Sequence, residues 1–105
     1  MNEVVKSIPR ELQQDRYWKG TLHIFLNNPK LKQHTAAYVD FEECMINAEG
    51  LKKLARPWSD SEKFMLNLAL HLFNERHKVN LSDMDILDSN NREIALKAIQ
   101  MRFAR

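Results

Sequence analysis

The chain has 105 residues, 44% of them hydrophobic, and a formal net charge of +2. That length predicts a single domain, 1–105, burying roughly 65% of its unfolded surface without staples. One cysteine, Cys44, excludes an intramolecular disulfide and a cysteine-rich zinc site, and only two Gly and three Pro argue against a turn-rich all-β fold.

Charge is spread evenly: nine basic and seven acidic residues up to Arg56, then seven of each. Neither half is the one-sided basic block of a dominant phosphate-binding surface. Arg102 and Arg105 either form a local patch or are ordinary solvated charges near a chain end. The first residues, Met-Asn-Glu-Val-Val-Lys, lack the apolar run of a signal peptide. The longest apolar tract, Phe64 to Phe73, is broken by Asn67 and His71 and falls short of the ~20 residues of a membrane span. With a lone thiol suited to a reducing compartment, the expectation is a cytoplasmic protein with no membrane contact.

Taken in chain order, residues 1–14 read as a loosely attached segment in which Pro9 opens a helical turn. A first strong helix is expected from about Asp15 to Asn27, with Trp18, Leu22 and Phe25 as its apolar stripe, widened by Tyr17, Thr21 and Ile24. Gly20 inside it costs ~1 kcal/mol against alanine, which predicts the close approach of a neighbouring helix. Asn28-Pro29 has the form of an N-cap followed by proline at the first helical position, opening a short helix to about Ala37.

Tyr38 to Ile46 keeps no helical period and reads as loop or extended chain, with Val79–Leu81 as a pairing partner if extended. Asn47 caps a short helix through Ala55. Ser59 and Glu62 have the spacing of a capping box, and the helix they open, Asp60–Asn74, is apolar almost all round. Ser82 caps one turn, with Asp85 three residues on. The last helix runs from Ser89 or Asn90 to Phe103, with apolar residues over more than half its circumference and Glu93, Lys97 and Gln100 as its exposed strip. The two apolar helices are expected to pack on each other inside a wrapping of N-terminal helices. The fold expected is all-α, a compact bundle of about five helices around a buried central helix, with a minor extended segment at 38–46.

Motifs for chemistry are sparse. Asp83, Asp85 and Asp88 fail the calcium-loop spacing, because Leu87 and Asp88 fall where an oxygen ligand and a glycine are needed. No pair among His23, His34, His71 and His77 has the i, i+4 spacing of a helical zinc site. Ser59 and Ser61 are accounted for by helix capping, and there is no Gly-x-Ser-x-Gly or phosphate loop. No catalytic residue, metal or cofactor is expected. Asn67, His71 and Asn74 form a polar strip on the central helix, read either as its solvent edge or as a partner-binding strip. Trp58 reads as core filler, as a staple onto its own helix, or as an extension of that strip.

Several segments in fixed order resemble a family of small uncharacterised proteins from Firmicute genomes, phages and plasmids. They are Tyr17-Trp18 leading to Asn28-Pro29, Tyr38-Val-Asp-Phe-Glu-Glu43, and Trp58-Ser-Asp-Ser-Glu62 with its helix ending Leu72-Phe-Asn74. Val79-Asn-Leu-Ser-Asp83 and Asn91 to Phe103 complete the set. The family usually carries Gly before the glutamate of the Trp-Ser motif, where this chain has Ser61. The resemblance implies a cytosolic bacterial or phage accessory protein and transfers no site. The function expected is a non-enzymatic protein-interaction module, binding another protein (a host protein to be modulated) or a second copy of itself. The alternative is a small nucleic-acid-binding regulator using Arg92, Arg102 and Arg105. An unrecognised hydrolase ranks third.

Overall fold

The computed structural model describes residues 8–104. Helices make up most of it: α1 (Arg10–Gln14), α2 (Lys19–Asn27), α3 (Pro29–Tyr38), α4 (Ala48–Leu54), α5 (Asp60–Phe73), a 3-10 helix (Leu81–Ile86) and α6 (Ser89–Phe103). Two short strands, β1 (Val39–Asp40) and β2 (Met45–Ile46), lie between α3 and α4. The radius of gyration is 12.7 Å, close to the ~13 Å of a folded chain this long.

Side-chain caps set most helix starts. Asn28 accepts from the Leu31 N–H at 3.1 Å with Pro29 at the first helical position, and Asn47 accepts from the Gly50 N–H at 3.0 Å. At α5 both halves of the capping box form, Ser59 Oγ with the Glu62 N–H and Glu62 Oε1 with the Ser59 N–H. Asp88 accepts from the Asn91 N–H at 2.7 Å and opens α6.

Local polar side chains move three boundaries. The helix expected from Asp15 begins at Lys19, because Asp15 Oδ1 accepts from the Tyr17 N–H at 2.8 Å and holds a turn there. The cap of the 3-10 turn is Asn80 rather than Ser82: Asn80 Oδ1 takes both the Ser82 N–H and its hydroxyl. Strands β1 and β2 pair with each other, Val39 opposite Ile46 and Asp40 opposite Met45, and not with 79–81. Their turn is drawn tight by Asp40 Oδ1, which accepts from the N–H groups of Glu42 and Glu43. It closes through Cys44 at φ 57°, a left-handed conformation costing a non-glycine residue about 1 kcal/mol.

Helix α5 lies inside the molecule: Phe64, Met65, Leu66, Leu68, Ala69, Leu70 and Leu72 are buried. Its neighbours differ from expectation. Helix α2 makes the broadest contacts with both α5 and α6, whereas α5 and α6 touch each other less. The two apolar helices do meet as expected, but each packs more broadly on the N-terminal helix α2. Small residues permit it. A Cβ on Gly20 would stand 2.6 Å from the Ala98 carbonyl oxygen of α6, and Thr21 Oγ1 donates to the Ala69 carbonyl of α5 at 2.9 Å.

The expected sheathing of α6 is also corrected. Only Ile94, Ala95 and Ala98 are buried on it, and Leu96 and Phe103 face outward. Its apolar residues are numerous, but they are spread around the helix, so a single contact face covers only some of them. Ahead of α1, Ile8 joins Leu12 of α1 in the core, so the N-terminal segment is attached from residue 8 onward.

Candidate functional site

Asn67, His71 and Asn74 are half-buried at i, i+4 and i+7 along α5 and its C-cap, and Trp58 is half-buried just before its N-cap. His71 Nδ1 lies 2.8 Å from the carbonyl oxygen of His77, across the turn that follows α5. A carbonyl only accepts, so it is Nδ1 that carries the proton in this contact. Asn74 ends α5 and accepts from the Arg76 N–H at 3.0 Å. Asn67 stands beside Lys52, Arg56 and Lys63 in a shallow depression between α4 and α5. His71 and Asn74 thus shape the chain reversal at 74–77.

Trp58 belongs to a different contact. Its ring is stacked on His34 of α3, 5.9 Å between centroids and 24° between planes, with Lys30 Nζ 5.5 Å above it. The fourth residue of its own helix after the cap is Lys63, which offers no apolar partner for a staple. Trp58 instead anchors the start of α5 to α3.

The chain's exposed aromatic and cationic groups converge elsewhere. The Arg102 guanidinium carbon sits 4.2 Å from the centroid of Tyr17 and 4.8 Å from that of Phe103, and Arg16 is 4.8 Å from Tyr17. Tyr17 and Phe103 are 40% and 64% exposed, with guanidinium groups lying over both rings. Together with His71, Phe73 and Glu75 they line a cleft of about 530 Å³. Sequence reading assigned Tyr17 to the buried stripe of a helix beginning at Asp15. The neighbouring Arg16, and the Arg102-Phe103 pair in the final turn, were the signals of a cationic aromatic cluster.

A larger open groove, about 1040 Å³, runs along the hairpin between Phe41, Cys44, Glu49, Phe73 and His77. The Cys44 thiol is free and exposed there. Among the described residues no group of three or more His, Cys, Asp or Glu is placed to hold a metal ion. No buried side-chain nitrogen or oxygen among them lacks a hydrogen-bond partner. Of the arginines in the nucleic-acid reading, Arg92 donates through Nη2 to the Leu87 carbonyl at 2.9 Å, and Arg105 lies outside the described residues.

Two histidines have pKa values held below 6.5. Burial depresses His23, with Lys97 adding to it. Burial also leads at His77, joined by Lys52 and Arg76 and opposed by Glu49. Lys52 Nζ stands 3.1 Å from His77 Nδ1 and donates to it, an arrangement that requires the unprotonated ring. As pH falls, the unfolded chain protonates these rings before the folded one does. Their contribution is therefore whole above pH 6.5 and is lost as pH drops from there through the lowered native values. Melting temperature should decline over that window, and the slope should flatten in a His23→Gln, His77→Gln variant followed by circular dichroism.

Among the described residues, no helix is long and apolar enough to cross a membrane. Compared with protein-family models, curated proteins and solved structures, the chain matches none of them.

Proposed function

We propose that the chain is a non-enzymatic protein-interaction module, a bacterial or phage accessory protein that works in the cytoplasm by presenting a helical face to a second protein or to its own copy. The observation that supports this reading is the outer face of α6. Arg92, Leu96, Ile99 and Phe103 follow the i, i+4, i+7, i+11 spacing of one helical stripe. Leu96 is 53% exposed and Phe103 64%, with Ile99 half-buried between them. Lone exposed apolar side chains are ordinary on a protein surface, whereas three aligned on one helix make the kind of face that seats in a partner's groove. The bacterial or phage setting is supported by the family resemblance, and the cytoplasmic one by the free thiol of Cys44.

The decisive comparison is between the native chain and Leu96→Glu, a change at an exposed position that should leave the far-ultraviolet spectrum and melting curve unaltered. The native chain is expected to sediment as a dimer, or to crosslink through α6 to a protein in bacterial lysate, and the glutamate variant to lose that contact. A chain that remains monomeric, with crosslinks indifferent to Leu96→Glu, overturns the proposal.

A further inference from the structure

We propose that the cleft framed by Tyr17, Arg102, Phe103, His71 and Glu75 is a binding site for a phosphorylated nucleoside, free or as a unit of a single strand. The inference goes beyond the interaction face of α6, with which the cleft shares Phe103, and rests on what the cleft offers chemically. Stacking occupies the flat faces of a guanidinium and leaves its N–H edges pointing outward in the plane, a geometry matched to phosphate oxygens. The Arg102 guanidinium carbon lies 4.2 Å from the Tyr17 centroid and 4.8 Å from that of Phe103, at the distances of such packing. Arg102 has no carboxylate partner among the described residues, whose one ion pair is Lys30 with Glu62. Arg16 places a second cation over the same Tyr17 ring and donates to the tyrosine hydroxyl at 2.9 Å.

The other wall, at the end of α5, supplies acceptors. Because His71 gives its Nδ1 proton to the His77 carbonyl, Nε2 is the ring nitrogen left for a ligand, an acceptor in the Nδ1–H tautomer. The Glu75 carboxylate lines the same wall. One wall thus suits an anion and the other suits hydroxyl or amino donors, and the exposed Phe103 ring with the arginine-capped Tyr17 ring gives a base a flat cluster to pack against. A nucleotide carries all three features. An acidic peptide carries the anion and N–H donors, but needs an added aromatic residue to supply the flat ring. The volume, about 530 Å³, falls within the range of small-molecule sites, about 300–1,000 Å³.

The test is a titration of the whole 15N-labelled chain with adenosine monophosphate and, separately, with a fluorescein-labelled oligothymidylate read by anisotropy, both in about 50 mM salt. Shifts are expected at Tyr17, His71 and Phe103. Tyr17→Ala and Arg102→Lys should each weaken binding about tenfold. Lys63→Ala, which removes one positive charge from the start of α5, should bind as the native chain does. Should Arg102→Lys melt early, Arg16→Ala at an exposed position gives the same reading. Response to the mononucleotide identifies a free ligand, and response to the oligomer alone identifies a strand; either supports the site. Silence toward both, equal affinity in the cleft variants, or binding confined to an acidic peptide overturns it.

Discussion

Asn28→Ala should lower the free energy of unfolding by about 2–4 kcal/mol, an unusually large loss for one small polar side chain. Asn28 is 3% exposed and does two jobs. Its Oδ1 caps α3 through the Leu31 N–H, and its Nδ2 donates to Asn91 Oδ1 at 2.9 Å. Losing the cap costs ~1 kcal/mol, and leaving a partly buried amide without its partner costs about 1–3 kcal/mol more. Asn28→Ser keeps a capping oxygen but is too short to reach Asn91, so it should recover only the first part. The double variant Asn28→Ala, Asn91→Ala should fall short of additivity by ~1 kcal/mol in urea unfolding, since the two residues share one hydrogen bond.

Gly20→Ala should destabilise the chain by up to about 2 kcal/mol net, against the direction set by helix propensity. In an open helix interior alanine is favoured over glycine by about 1 kcal/mol. Here the new methyl group would lie 2.6 Å from the Ala98 carbonyl oxygen and 3.5 Å from Arg102 Cβ. A backbone oxygen cannot swing aside, so α2 and α6 must separate, and overpacking of that kind costs about 1–3 kcal/mol. The melting temperature should fall by about 4–8 °C per kcal/mol. A variant that melts higher than the native chain would show that the helices stand farther apart than described. Because Arg102 flanks the same contact, Gly20→Ala should also loosen the Tyr17–Arg102 stack and weaken any ligand held by it.

What could be read in advance follows from where the information sits. The burial of α5 was legible because Phe64 to Leu72 is apolar except for Asn67 and His71, and its capping box fixes where it starts. The Asn28-Pro29 and Asn47 caps were legible for the same reason: a local polar contact with a fixed spacing. The competition among neighbouring caps was not. Asn80 outcompeted Ser82, and Asp15 held a turn instead of opening a helix, because both choices depend on which oxygen reaches which N–H. The central position of α2 was hidden for another reason. Its contacts run through Gly20 and Thr21 against Ala69 and Ala98, small residues whose close approach leaves no hydrophobic pattern in the sequence. Counting apolar residues on α6 exaggerated its burial, since only one arc meets α2 and α5. The Tyr17–Arg102 cluster joins residues far apart in the chain, and only the antiparallel lie of α2 and α6 brings them together.

That last pairing governs how the molecule is made. On the ribosome, Lys19–Asn27 emerges roughly 70 residues before Ser89–Phe103, several seconds at ordinary rates of synthesis. Until the later helix arrives, Gly20 and its flank stay uncovered, and α5 has only one of its two companions in place. Folding must then finish in a late, long-range docking step, which separates this chain from helical proteins assembled through contacts between sequence neighbours. A nascent chain halted before Ser89 would be the form most exposed to proteases and chaperones.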